Sequence, residues 1–258
     1  MATWTQSVDL RWRPEPTFFD ARSDILREVG EKNLLDAFSW RESEIHLRLA
    51  PFEVIRVASD GLTASITSPR ATIDSSRTVI DLVLELVKPQ NAVVELIRTA
   101  CLCELDRDFT SAQVRLSELL ASPWLPGTDP TDTALLVDGY SKPLESPFKV
   151  EFGVVGSHEV APRLMRLPGR IEGQQVDFSN PLAALANMKS PVPLNFDLEG
   201  MPDSAVFLDW NWPVRRPIKD SSEIPEIWQA TVAEAHRLGE HVKSRLVMGI
   251  GEGREELG

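Results

Sequence analysis

Chemistry needs side chains that hold charge, move protons or attack, and this chain offers few that would act together. Its histidines are His46, His158, His236 and His241. His236 and His241 stand five apart in a stretch patterned as helix, which turns them about 140° from one another around the axis. A two-histidine metal site wants a spacing of three or four, so no metal is expected. His46 lies between Ile45 and Leu47 on the polar side of a strand-like alternation, which makes it a solvated histidine before it is a proton carrier. No nucleophile elbow of the G-x-S-x-G type occurs, nor a phosphate loop ending in Gly-Lys-Ser or Gly-Lys-Thr. The run GIGEG follows a helix pattern instead of joining a strand to a helix, the reverse of a dinucleotide site, so no cofactor is expected. Asp106 with Asp108, and Asp129 with Asp132, fall at element ends or in loops, where aspartate caps helices and turns.

Arg98 is the exception. It is the one cation in a run from Ala92 to Leu105 that is apolar on both alternations. A buried arginine must be paired, and the candidates are Glu95 or a carboxylate from a neighbouring strand such as Asp209. A buried ion pair, or a strand end leaving the core, is the plain expectation. The alternative is a pocket in which Arg98 binds an anion while Asp209 or His46 handles protons.

The elements that would position these groups are organised around Ser75 to Leu105. Before Pro89, Val79, Ile80, Val83, Leu84, Leu86 and Val87 recur at helical spacing, with Asp81, Glu85 and Lys88 as a polar stripe. After it comes an interior strand covered on both faces. Upstream, Thr3 to Trp12 alternates as a strand with one wet side bearing Thr3, Thr5, Ser7, Asp9 and Arg11. Phe18 to Phe38 reads as helix with Phe38 facing inward, broken near Gly30. Ile45 to Thr67 holds strands around Ser59-Asp60-Gly61, a hairpin turn signature. Downstream are a helix over 109–120 and strands at 135–137, 148–155 and 205–212. Further strand-like pieces stand at 160–167 and 194–198, with a short helix after Asn180-Pro181. A closing helix spans 224–247 with Ile224, Trp228, Thr231, Ala235, Leu238 and Val242 inward. Strands outnumber helices and are joined by short turns. The fold class is α+β, with antiparallel sheets, helices packed on one side and a long C-terminal helix. Two sheet-and-helix halves are expected, 1–122 and 131–248, with a tail, 249–258, too glycine-rich and charged to fold.

Composition narrows the function. The chain has 258 residues, a net charge of −12, a 42% hydrophobic fraction and 26% charged residues, those of an ordinary globular protein. Such acidity, with the basic residues scattered, argues against nucleic acid as a partner. No apolar run reaches the ~20 residues of a membrane helix, and the N-terminus has no secretion pattern, so a cytoplasmic protein away from membranes is expected. Cys101 and Cys103 are the only cysteines and are read as reduced core thiols. Seven tryptophans stand against one tyrosine. Trp4, Trp12, Trp210, Trp212 and Trp228 fall on inward faces, whereas Trp40 and Trp124 lie near loops as candidate anchors for a partner.

Four stretches carry a likeness to a known family: the opening VDLRWRPEPTFFDARSDIL, the helix-to-strand TVIDLVLELVKPQNAVVELIRTACL, the late strand FLDWNW and the final helix IPEIWQATVAEAHRLGEHVKSRL. In element order and apolar pattern the chain resembles a sporadically distributed family of bacterial proteins of about this length, which has no assigned activity. That family tends to carry Arg, an aromatic and Asn together on the central strand. Here Arg98 is followed by Thr99, Ala100 and Cys101. The resemblance implies an α+β fold and an accessory bacterial role, and it carries over no catalytic residues. The expected function is a non-enzymatic protein–protein interaction, with self-association into a homodimer as one form of it.

Overall fold

The structure is a computed structural model that describes residues 2–50, 53–67, 74–105, 109–120, 134–156, 202–218 and 221–248. Strand β1 (Ala2–Arg11) leads into α1 (Thr17–Glu31), and β2 (Ala37–Trp40), β3 (Glu44–Ala50), β4 (Glu53–Ala58) and β5 (Gly61–Ile66) follow. Next come α2 (Asp74–Val87), β6 (Val93–Glu104) and α3 (Phe109–Leu120). The chain ends with β7 (Ala134–Ser141), β8 (Ser146–Gly156), β9 (Ser204–Trp212), the two-residue β10 (Arg216–Pro217) and α4 (Glu223–Met248).

All strands pair antiparallel in one sheet of order β2-β3-β4-β5-β1-β6-β9-β8-β7, with β10 against the start of β6. This is the expected α+β class. Because β6 pairs with β1 on one side and β9 on the other, hydrogen bonding runs unbroken across the sheet. One sheet face (Val8, Leu10, Ile45, Leu47, Ile55, Val57, Ile97, Leu208, Trp212) forms a single core cluster with Phe18 and Ile25 of α1, Val79 and Val83 of α2, Leu116 of α3 and Trp228 of α4. The four helices therefore pack on that side. Each strand offers it alternate residues, as a pleated backbone must.

Local chemistry explains the turns. Ser59 and Asp60 close the β4–β5 hairpin with Ala58 opposite Gly61, and Trp12 Nε1 donates to Ser59 O at 2.9 Å, tying the hairpin tip to the end of β1. After α2, Pro89 cannot donate a helical hydrogen bond, and Lys88 turns out of the helix at φ 49°.

Two expectations about the elements fail. The first helix ends at Glu31 and does not reach Phe38. Asn33 takes φ 54°, its N–H bonds Gly30 O, and Leu34 N–H reaches back to Val29 O, so the last carbonyls are satisfied and the helix is closed. Phe38 belongs to β2 instead and is exposed. The side of β1 expected to be wet is buried at Thr5, Ser7 and Asp9. β1 is an interior strand whose polar side chains lie among those of its neighbours: Ser7 stands between Ser65 of β5 and Arg98 of β6, and Asp9 is bonded by Thr63 and Arg11.

Several expectations lie outside the described residues: Trp124, His158, the aspartates at 106, 108, 129 and 132, the pieces at 160–167 and 194–198, the turn at Asn180-Pro181 and the tail 249–258. The side chain of Trp4 lies outside them too.

Candidate functional site

The sheet face away from the helices carries the polar side chains. At its centre, Arg98 of β6 and Asp209 of β9 project side by side, since Ala100 is the residue opposite Asp209 and Arg98 precedes it by one same-face step. Arg98 Nε donates to Asp209 Oδ1 at 2.7 Å and Nη2 to Oδ2 at 2.9 Å, the fork geometry that makes arginine–carboxylate pairs strong. Both residues are buried, at 3% and 5% exposure. Glu95, the other carboxylate considered for Arg98, faces Arg215 at 3.7 Å near the surface. Asp209 thus matches the charge of Arg98 and binds it at both oxygens.

His46 stands elsewhere. It lies on β3, four strands from β6, which at the usual strand spacing is roughly 19 Å from Arg98. It is not the solvated histidine expected from its strand: Nε2 lies 2.9 Å from Glu44 Oε1, and its side chain is mostly covered. The period-2 pattern puts Glu44 and His46 on one face, and Arg56 of β4 sits directly opposite His46. Arg56 Nε and Arg41 Nη1 also donate to Glu44. Burial works to raise the Glu44 carboxyl, but the hydrogen bonds from Arg56 and His46 outweigh it and hold the group below the usual glutamate range.

Between these two places lies Asp9, which accepts from Thr63 Oγ1 at 3.0 Å and from Arg11 Nη2 at 3.2 Å. Burial nevertheless wins there and raises its carboxyl above the ordinary value. On the helix side, Ser141 Oγ and Arg237 both donate to Glu234, joining α4 to the end of β7. The Arg237 hydrogen bond is the main reason the Glu234 carboxyl is held down.

The margin of the sheet has another character. β2 is an edge strand, and Trp40 is 45% exposed, Phe38 55% and, on the neighbouring α1, Phe19 46%. Phe38 and Trp40, two apart, share one side of β2. Arg22, one helical turn beyond Phe19, lies 4.7 Å from the Trp40 ring centroid and 5.1 Å from that of Phe19. Its Nη1 donates to Arg41 O and, at 2.9 Å, to Glu42 O. No carboxylate pairs with Arg22 among the described residues. Sequence reasoning named Trp40 but missed Phe19, Arg22 and Phe38. The pattern Phe38-x-Trp40 was there to be seen, but it was absorbed into a helix that stops earlier. At the opposite edge, Leu136 and Tyr140 of β7 are also exposed.

Two clefts among the described residues flank α2. One is closed to about 10 Å³ beside Trp228, and the other is an open trough of about 540 Å³ beside Glu85, Lys88 and Asn91. Neither touches Arg98, Asp209 or His46. Among those residues no three histidine, cysteine or acidic side chains converge as a metal set. Cys101 and Cys103 are buried and form no disulfide, and burial pushes the Cys103 thiol up to about 11, out of reach of easy ionisation. No described helix is long and apolar enough to cross a membrane. No family model matches the chain, and no curated protein matches it either.

Proposed function

We propose that this chain is a non-enzymatic interaction protein that binds an extended segment of a partner protein along β2. The exposed aromatic cluster of Phe19, Phe38 and Trp40 around Arg22, at a sheet edge that no described strand covers, carries this reading. An open edge strand offers unpaired backbone groups to an incoming strand. Exposed tryptophan and arginine side by side are the residue types that dominate binding energy at interfaces. Among the described residues Arg22 is a cation held by carbonyls and ring faces, so the fitting segment alternates apolar side chains with a carboxylate. The chain works as an accessory protein of a bacterial system, as its resemblance implies. Core thiols without a disulfide suit the cytoplasm as its place of work.

A catalytic or anion-binding role at Arg98 has less support. Its fork is occupied by Asp209, it is buried, and His46 lies on a distant strand.

The test compares wild type with Phe38→Ala/Trp40→Ala, and with Leu136→Ala on β7 as control. Affinity isolation from the native cell, followed by titration of the purified captured protein, should show binding weakened roughly 30-fold or more in the β2 variant. The melting temperature and the control should be unchanged. Sedimentation of the purified chain shows whether a second copy occupies β2: a dimer dissolved by the same variant identifies it. Binding that is indifferent to the β2 variant overturns the proposal.

A further inference from the structure

The turn between β2 and β3 sets which backbone groups β2 leaves open. Arg41 N–H donates to Glu44 O at 2.9 Å, and behind it Trp40 pairs with Ile45, Ser39 with His46 and Phe38 with Leu47. An antiparallel ladder alternates, so Ser39 and Arg41 turn their N–H and C=O groups towards β3. Phe38 and Trp40 turn theirs outward. With β2 limited to Ala37–Trp40, these two residues are the frame that an incoming strand can pair with.

The same two residues send their side chains to the helix side, since their partners Leu47 and Ile45 are core. Directly opposite residues of a strand pair share a face, with Cβ atoms about 5 Å apart. A side chain brought opposite Trp40 or Phe38 therefore arrives on the side where α1 carries Arg22. Arg22 Nε donates to Phe19 O, and its Nη1 to Arg41 O and Glu42 O, which sets the guanidinium at the Trp40 end of β2. Its Nη2 donates to nothing among the described residues. Carbonyls hold this group in place without neutralising it, so it is oriented before a partner arrives.

Resting on the reading of β2 as a recognition edge, we propose that the edge selects an acid-x-apolar tripeptide running antiparallel to it. The aspartate or glutamate stands opposite Trp40 and accepts a charge-assisted hydrogen bond from Arg22 Nη2. Two residues later a large apolar side chain stands opposite Phe38. The antiparallel direction continues the pairing on the other side of β2 and throughout the described sheet. It also fixes the order, with the acid first. Arg22 is then the residue that sets specificity, and the two aromatics supply the contact area.

Random heptapeptides displayed on phage and selected on the purified full chain test this. Wild type should enrich acid-x-apolar, Arg22→Gln should keep the apolar residue but lose the acid, and Phe38→Ala/Trp40→Ala should enrich neither. Titration of one selected peptide needs no protein variant. Replacing its acid by the matching amide should weaken binding to wild type roughly 10-fold. On Arg22→Gln the same replacement should change nothing, and an equal loss on both proteins removes Arg22 from the account. Apolar enrichment without the acid, or with the order reversed, overturns the tripeptide and leaves recognition at β2 standing. Enrichment undisturbed by Phe38→Ala/Trp40→Ala overturns both. No enrichment on wild type overturns the tripeptide, since an edge closed by a second copy takes no peptide.

Discussion

Arg98 and Glu44 lie on the same sheet face, four strands apart, and keep their charges in opposite ways. At the centre, one arginine meets one aspartate in a dry two-pronged pair. Near the margin, Glu44 gathers Arg41, His46 and Arg56, and both arginines reach solvent. The central pair has its charges matched and its fork filled, so it holds β6 and β9 in place and offers little to an outside molecule. The marginal network stands beside an edge strand that no other described strand covers, with exposed aromatics. The contrast separates a part that holds the fold from a part that the proposed recognition would use.

The contrast breaks most visibly at the centre. Asp209→Ala leaves a buried guanidinium unpaired and should cost about 3–5 kcal/mol in denaturant melts, as should Arg98→Met in reverse. The double variant Arg98→Met/Asp209→Leu should recover much of the loss, and strictly additive losses would mean that the two are not coupled. On the other side of the same strand, Trp210 stacks on Trp212 and touches Phe148 edge-on. Trp210→Ala should also cost about 3–5 kcal/mol, by emptying a large aromatic site.

Glu44→Gln should be milder, about 1–2 kcal/mol at neutral pH, because Arg41 and Arg56 can turn to water. Since the folded-state carboxyl is held down, that contribution is present above the ordinary glutamate range and is lost as pH falls through the depressed value. The gap between wild type and Glu44→Gln in urea midpoints should therefore close in acid. A gap that widens there would contradict the network. Smallest of all is Asp138→Ala, which removes an exposed partner of Lys149 and should change stability by less than ~1 kcal/mol.

Much of this was legible in the sequence. Two-sided apolarity placed β6 inside the sheet, and a lone arginine in such a strand demanded a carboxylate, which Asp209 supplies at 2.7 Å. What alternation could not show was which strands lie at the edges. Thr5, Ser7 and Asp9 looked wet because polar residues on one side of a strand usually are, yet β1 has neighbours on both flanks. His46 looked solvated for the same reason, since Arg56, which completes the network around Glu44 from the next strand, comes from the register and not from local spacing. Phe38 was lost to an apparent helix because the left-handed turn at Asn33 has no strong signature without glycine.

The most direct test of the account places a photo-reactive benzoylphenylalanine at Phe38 in one strain and at Leu136 in another, with irradiation in the native cell. Recognition through β2 predicts an adduct of one discrete mass from position 38, and none of that mass from position 136. No adduct from position 38, or the same adduct from both positions, would contradict it.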